Sequence, residues 1–370
     1  MPWSITIGRF GGTAVKIHVT FLLFLAWIAS SAWARGGWEA ARDGTIFIVL
    51  LFLCVVLHEF GHILAARRYG IQATEVTLLP IGGVASLQRM PSDPRQELVV
   101  ALAGPAVNLV IGVALVLVLG SVRPGELQQI ENPHLSLMGR LAAANLFLAV
   151  FNLIPAFPMD GGRVLHALLA MRVGGPLATE IAAKVGQAFA IGLGFLGLFG
   201  NPLLLFIAIF VYMAAAGEAQ MSASRQALKG LTAGEAMETR FTPIAIEATL
   251  GEAVDALIAA AQHEYPVVDA FRKPVGLLTR EDILTAVRAH GRDEPAAVAM
   301  RVGVDSVRPG APVESVFERL QDPKAAALYV TDADGAIVGL LTRQALAEIV
   351  LIRSFRPDWR FDRRARVDRE

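Results

Sequence analysis

The feature that most constrains this chain is a series of apolar runs, each long enough to cross a lipid bilayer. No charged residue occurs between Val185 and Gly217. As a helix rising 1.5 Å per residue, the run from Gly44 to Ala66 would cross a hydrocarbon core about 30 Å thick. Apolar residues form 54% of the sequence, against roughly 45 to 50% in an average soluble protein. The sequence therefore predicts a polytopic α-helical membrane protein.

Six membrane spans are expected. Their approximate bounds are Val19 to Ala34, Gly44 to Ala66, Leu98 to Val122, Leu141 to Pro155, and two short helices between Val185 and Gly217 that meet at Asn201 and Pro202. The last run is divided because a single helix of that length would measure about 50 Å.

A cleaved signal peptide is the alternative for the first run. The residues before it, Ser4 to His18, alternate in polarity on both sides of Gly11 and Gly12. This pattern predicts a β-hairpin and favours a retained span.

Basic residues predict the orientation of the spans. In a six-span arrangement one side carries most of them, namely Arg9, Lys16, Arg67, Arg68, Arg163, Arg172, Lys184 and Arg225. The opposite connections, 35 to 43, 123 to 140 and the turn at 201, hold fewer. By the positive-inside rule the basic side is cytoplasmic, so both termini are expected on the cytoplasmic side of a cell (inner) membrane.

Charge and cysteine content add two limits. Lys plus Arg equals Asp plus Glu at 33 each, so net charge gives no reason to expect a nucleic-acid partner. Cys54 is the only cysteine, which excludes an intrachain disulfide. Because it precedes His58 by one helical turn, Cys54 either packs as a small apolar residue or faces the same site.

The composition also suggests domain bounds. From Ser222 onward the sequence is mixed and charged, as in a soluble domain. We expect a membrane domain at 1–217, a linker at 218–230, a soluble α/β pair at 231–355 (about 231–290 and 298–352) and a charged tail at 356–370.

Three ionisable residues occupy the middle of the second apolar run. A charged residue at such a position costs about 2.5 to 3.5 kcal/mol on insertion scales, so its retention needs compensation. His58 and His62 are four residues apart and share one helix face, where two imidazoles can hold one metal ion. Glu59 would lie beside the metal, as suits a general base acting on water. In a soluble protein the same motif could be a surface helix with satisfied histidines.

A catalytic zinc needs a third protein ligand and an open fourth position. Asp160 is the sole acid in a long neutral stretch just past the fourth span, on the same expected side as His62. The alternative is that Asp160 caps a helix that begins near Gly162.

These residues together resemble the site-2 protease family of intramembrane zinc metalloproteases. Its two signatures, H-E-x-x-H and N-x-x-P-x-x-x-x-D-G, are matched by His58, Glu59, His62, Asn152, Pro155, Asp160 and Gly161. The resemblance covers about residues 1–217. It implies one Zn²⁺ per chain bound by His58, His62 and Asp160, with Glu59 as general acid/base and Asn152 orienting the substrate peptide. It also implies hydrolysis of peptide bonds within transmembrane segments of membrane-anchored substrates.

The segment from Val76 to Leu87 resembles the membrane-associated loop of the same family. Its β-forming residues are interrupted by Pro80, Gly82 and Gly83, which predicts a hairpin with one exposed edge. Such an edge could bind an unwound substrate as an added strand, with Gly82 and Gly83 as substrate-binding residues. A mere connecting hairpin is the alternative.

The soluble part contains a repeat. Segments 264–287 and 327–350 share one pattern, with Gly-Leu-Leu-Thr-Arg beginning at Gly276 and again at Gly339. Each copy predicts strand, turn, strand and helix, a unit that is stable only as a stacked pair.

This pattern resembles paired cystathionine-β-synthase-type (CBS) modules, which commonly bind adenine nucleotides. The first copy has Thr279 and Asp282 in the family's ribose-binding T-x-x-D arrangement, whereas Ala345 follows Thr342 where the second acid would stand. One nucleotide site per pair, a homodimer through these modules and a purely structural tail all remain open.

The leading function is a zinc endopeptidase of the membrane, active in regulated intramembrane proteolysis. A CBS-regulated transporter is the second class, but no internal repeat precedes residue 217, as transporter folds would require. A catalytically inactive binding protein is the third, disfavoured because every matched catalytic position is filled.

Overall fold

The computed structural model describes residues 3–87, 91, 93–119, 137–260, 262–322 and 325–361. Within the chain, Met1–Ser222 and Ala223–Glu370 form two separate units. The end of the expected third span, most of the 123–140 connection and residues 362–370 of the charged tail lie outside the described residues.

The first unit is mainly helical. Its helices are α1 (Val19–Arg67), α2 (Pro94–Leu119), α3 (Leu137–Asn152), α4 (Asp160–Val173), α5 (Gly175–Phe199) and α6 (Pro202–Leu228). By length and composition α1, α2, α5 and α6 could each cross a membrane, and α3 is a shorter apolar helix.

A kink divides α1 into the first two expected spans. Gly36 and Gly37 leave helical geometry, and Gly37 has a φ of 66°, which favours glycine. Counted on each side of this kink, the apolar helices of the described residues match the six expected spans. Large apolar side chains such as Phe199, Phe206 and Phe210 are exposed on α5 and α6, as lipid-facing helices require. The predicted polytopic helical fold is confirmed.

A four-stranded sheet accompanies these helices. Its strands are β1 (Ser4–Phe10), β2 (Thr13–His18), β3 (Ala73–Leu79) and β4 (Gly82–Leu87), in the order β1-β2-β3-β4. Both expected hairpins are present, and β2 pairs with β3 in parallel to join them. The sequence did not indicate this junction, which leaves β4 at the edge of the sheet.

The second unit contains two similar modules. Its strands are β5 (Ile244–Ala245), β6 (Glu264–Val268), β7 (Pro274–Thr279), β8 (Ser306–Val307), β9 (Ala327–Thr331) and β10 (Ile337–Thr342). Its helices are α7 (Ala233–Ala236), α8 (Leu250–Ala259), α9 (Arg280–Ala289), α10 (Val313–Leu320) and α11 (Arg343–Phe355), with a 3-10 turn at Ala296–Ala299. The sheets run β5-β6-β7 and β10-β9-β8, and the predicted strand–turn–strand–helix repeat is confirmed.

The two modules pack against each other through reciprocal contacts. A Cβ on Gly276 would lie 2.6 Å from Met300 Sδ, and a Cβ on Gly339 would lie 2.4 Å from Met237 Sδ. The glycine at this position in each copy therefore allows a methionine of the other module to pack closely against it.

Candidate metal centre

Two helices bring three ligand-type side chains together. His58 and His62 lie one turn apart on α1, and Asp160 is the first residue of α4. Asp160 Oδ2 lies 3.1 Å from His58 Nε2 and 3.2 Å from His62 Nε2, and the two Nε2 atoms are 3.1 Å apart. The three side chains are thus arranged around one point, with all ligand atoms within 4.8 Å of one another.

The ring of His62 is held by the backbone of α2. His62 Nδ1 lies 2.7 Å from the carbonyl oxygen of Val100, to which it can only donate. This contact assigns the proton to Nδ1 and leaves the Nε2 lone pair for a metal, as in most metal-bound histidines. The Nδ1 atom of His58 is also buried and has no hydrogen-bond partner among the described residues.

Helix α2 comes so close to the two rings that only glycine fits. A Cβ on Gly104 would lie 2.2 Å from His62 Nε2 and 2.7 Å from His58 Nε2. Two imidazole nitrogens and a carboxylate oxygen form the donor set of a catalytic zinc site. The cluster therefore fits Zn²⁺.

Asp160 does not make the contact expected of a helix cap. The cap position of α4 is Met159, and no side-chain hydrogen bond caps this end. The carboxylate of Asp160 instead contacts the two histidines.

Glu59 lies in a cavity that adjoins the ligand cluster. The cavity has a volume of about 130 Å³, and its polar lining comes from Glu59, His62, Asp160, Glu97 and Arg163. The Glu59 carboxyl accepts a hydrogen bond from the backbone of Ala85 on β4. A Cβ on Gly83 would lie 2.8 Å from Glu59 Cγ, so β4 approaches this glutamate as closely as glycine allows.

Three other candidate residues of this unit, Gly82, Asn152 and Cys54, differ in their position relative to the metal ligands and the cavity. Gly82 begins β4 with a φ of 137°. Asn152 ends α3, is half-buried and does not line the cavity. Cys54 is buried, hydrogen-bonds with Asn145 and belongs to no ligand cluster found within the described residues.

Sequence reasoning missed a second polar contact at the cavity. His166 on α4 places Nδ1 2.9 and 3.0 Å from the two carboxylate oxygens of Glu97 on α2. The hydrogen bond that His166 donates to Glu97 raises the pKa of His166, and burial partly opposes this shift. Two features of the sequence could have indicated this contact. Glu97 is an acid at the start of an otherwise charge-poor helix, and His166 is a histidine in the stretch after Asp160.

In the second unit, Thr279 and Asp282 form a capping box at the start of α9. Thr279 Oγ1 donates to Asp282 Oδ2 over 2.7 Å, and the Asp282 amide donates back to Thr279 Oγ1. Arg301 also holds this carboxylate through two hydrogen bonds of 2.8 and 3.0 Å. Burial alone would raise the pKa of Asp282, but the bonds from Arg301 and Thr279 outweigh it and lower the pKa.

These residues adjoin a larger cavity of about 610 Å³. Its charged lining contains Arg280, Arg288, Arg301, Arg343, Glu264 and Glu281, besides His263. Since arginines outnumber acids, the cavity is suited to an anionic ligand.

Comparison with known proteins places this geometry in a family. The model of "Peptidase family M50" matches residues 46–131 and 122–193. A zinc metalloprotease of Methanocaldococcus jannaschii is 34% identical over 270 residues, covering 73% of this chain and 76% of that one. The chain belongs to peptidase family M50. This M50 protein is therefore a membrane zinc metalloprotease, and the sequence-based identification of a site-2 protease is confirmed.

Two further similarities are found among known proteins. The solved site-2 protease from Methanocaldococcus jannaschii shares 35% identity, covering 59% of this chain and 95% of that one with a TM-score of 0.44. Stage IV sporulation protein FB of Bacillus subtilis is 27% identical over 202 residues, covering 54% of this chain and 64% of that one. The CBS domain model matches residues 233–289 and 296–352, so the M50 protein also carries a CBS pair.

Proposed function

We propose that this M50 protein hydrolyses peptide bonds within or near transmembrane segments of membrane-anchored substrates. The observation that carries the proposal is the convergence of His58 Nε2, His62 Nε2 and an Asp160 oxygen within 4.8 Å, with both histidines on the apolar helix α1 and Glu59 beside the cluster. These three side chains would hold Zn²⁺. Buried ionisable groups in a membrane helix are explained when they serve such a site.

The chemistry divides between the metal and Glu59. When bound, zinc supplies a Lewis acid that acidifies water and polarises a carbonyl. Glu59 then serves as the base that takes a proton from the attacking water and returns it to the departing amide nitrogen. The Ala85 backbone and the close approach of Gly83 hold its carboxyl in place.

The edge of β4 is proposed as the substrate-binding strand. A helical substrate hides its peptide bonds, so the protease must extend the segment before water can attack. Because β4 is an edge strand that touches Glu59, a peptide added to this edge would run past the base. Gly82 and Gly83 leave room for its backbone, and Asn152, at the end of α3, is proposed to orient the substrate peptide.

The direct experiment uses purified protein in proteoliposomes with transmembrane peptides as substrates. Mass spectrometry of the products should find cleavage by the wild type and none by Glu59→Gln. Membrane proteins that accumulate uncleaved in a Glu59→Gln strain would identify substrates. If zinc-loaded wild type cleaves none of the transmembrane peptides, protease activity is contradicted. The remaining functions would then be those of an inactive binding protein or a transporter.

We also propose that the CBS pair binds an adenine nucleotide and regulates cleavage. Thr279 and Asp282 offer a hydroxyl and a carboxylate suited to a ribose, and the basic lining of the adjoining cavity suits phosphates. Because Arg301 holds Asp282 in this structure, the nucleotide would have to share or displace that contact. A tenfold change in activity needs about 1.4 kcal/mol of differential affinity between two arrangements.

Calorimetry with ATP, ADP and AMP tests this regulation. Wild type should bind one nucleotide per pair, Asp282→Ala should bind it at least tenfold more weakly, and Gln344→Ala in the second module serves as a matched control. The cleavage assay is run in parallel with the same nucleotides. No saturable binding at millimolar nucleotide would leave the pair as a structural or dimerisation unit.

For location, we propose a cell membrane with both termini cytoplasmic. The support is the excess of basic residues on one side of the spans, including Arg67, Arg68 and Arg163.

A further inference from the structure

A part-buried contact between α2 and α4 has no part in the chemistry described above. His166 Nδ1 hydrogen-bonds both carboxylate oxygens of Glu97, and the two side chains are 17% and 10% exposed. Desolvating such groups is costly, so a gain in stability alone does not account for an ion pair here.

The contact joins two helices that each control one metal ligand. On α2, Val100 lies one turn after Glu97, and its carbonyl oxygen accepts the hydrogen bond from His62. On α4, Asp160 lies at the start of the helix that also carries His166. The relative position of these two helices therefore sets the distance between a ligand on α1 and a ligand on α4.

Apolar packing alone would fix that position poorly. Several buried side chains of α2 and α4 are small, among them Ala101 and Ala167, and apolar contact has no directional preference. A hydrogen bond from one imidazole to two carboxylate oxygens is directional and opposes sliding of α4 along α2. Metal sites require ligands held within about 0.5 Å of the productive geometry.

We propose that Glu97 and His166 are positioning residues that hold α4 against α2, so that Asp160 and His62 meet at the metal. The inference rests on the proposed zinc site. Glu97 and Asp160 line the same cavity. A displacement of Glu97 or His166 would therefore move the metal ligands directly.

The test measures metal binding rather than cleavage alone. Zinc retention against a graded chelator is compared for wild type, Glu97→Ala, His166→Ala and the double variant. Each single change should weaken zinc retention by about tenfold or more, the range for residues that support metal ligands. The double variant should be no weaker than His166→Ala, because that change already removes the contact with Glu97.

Two variants separate positioning from general stability. Glu97→Gln keeps an acceptor for His166 Nδ1 and should retain zinc nearly as wild type does. Glu75→Ala removes the ion pair with Lys16 that joins β2 and β3 elsewhere in this unit, and it should leave zinc retention unchanged. The visible absorption of cobalt-substituted protein gives a second readout, since its bands depend on ligand geometry; they should shift in Glu97→Ala and not in Glu75→Ala.

The outcomes are distinct. If wild type binds zinc but Glu97→Ala and His166→Ala retain it equally well with unchanged cobalt spectra, the positioning role is overturned and the zinc site stands. The role is also overturned if Glu75→Ala loses as much zinc as Glu97→Ala and His166→Ala do. Equal losses of zinc would reflect lowered stability of the unit alone. A wild-type protein without zinc at His58, His62 and Asp160 would instead overturn the proposed function itself.

Discussion

Asp160 Oδ2 lies 3.1 Å from His58 Nε2, which joins the first residue of α4 to the C-terminal part of α1. The two residues belong to separate sequence signatures, and neither signature alone completes a catalytic metal site. Their contact explains why α1 keeps polar residues within an apolar run. Asp160, the first residue of α4, therefore contacts the histidines as a candidate metal ligand and does not cap its own helix.

Substitution of Gly104 should remove the metal without removing any ligand. In Gly104→Ala the new Cβ would lie 2.2 Å from His62 Nε2, so the ring or the helix must move. Zinc content after purification should fall by about tenfold or more. Gly112→Ala is the matched control on the same helix, because its Cβ meets the side chain of Leu146 far from the ligands. Equal zinc in Gly104→Ala and wild type would contradict the geometry of the cluster.

Substitution of Gly83 should separate cleavage from metal binding. The Cβ in Gly83→Ala would lie 2.8 Å from Glu59 Cγ and must displace the glutamate or the strand. A misplacement of about 1 Å at a catalytic group can cost 10²-fold in rate, so we expect a loss of about tenfold or more in kcat with normal zinc content. Ile5→Ala, which trims an exposed side chain on β1 at the opposite edge of the same sheet, should cleave as wild type does. Full activity in Gly83→Ala would argue against a catalytic position for Glu59.

The Asp282 carboxylate should contribute to the stability of α9 in a pH-dependent way. Its pKa is lowered in the folded protein, so the contribution is complete above the unfolded pKa and is lost as pH falls through the folded one. Asp282→Asn should raise hydrogen exchange of the α9 amides relative to wild type, by an amount near 0.5 to 1 kcal/mol for a partly exposed pair. The difference should persist at pH 4, where a carboxyl with an ordinary pKa near 3.9 would be about half protonated. Its disappearance at pH 4 would show that Arg301 does not hold this group charged.

The orientation of the chain can be read with reporter fusions. A reporter placed after Ser222 should be cytoplasmic, and one placed in the 123–140 connection should be external, because basic residues gather on the first of these sides. The opposite result at both positions would reverse the proposed topology. It would leave the metal cluster intact while placing it at the other face of the membrane.

The sequence predicted features that depend on local spacing. The His58 and His62 pair follows from the helical period, the hairpin around Pro80 follows from turn chemistry, and the repeated modules follow from Gly276 and Gly339. Each of these patterns lies within a short stretch, so no tertiary information is needed to find it.

Contacts between distant segments were not predictable in the same way. The parallel pairing of β2 with β3 and the contact between Glu97 and His166 join elements far apart in the chain, and the ion pair of Arg301 with Asp282 joins α9 to a residue outside that helix. A single sequence shows which side chains are polar but not which ones meet. The T-x-x-D pattern is ambiguous for a further reason, since a capping box and a ribose site use the same two residue types.

The most direct test of the central claim compares zinc content and peptide cleavage in Glu59→Gln and Asp160→Ala. Glu59 acts as a base and Asp160 as a ligand in this account, so Glu59→Gln should retain about one zinc per chain and lose cleavage, while Asp160→Ala should lose zinc as well. Wild-type levels of zinc and cleavage in both variants would contradict the assignment of the site.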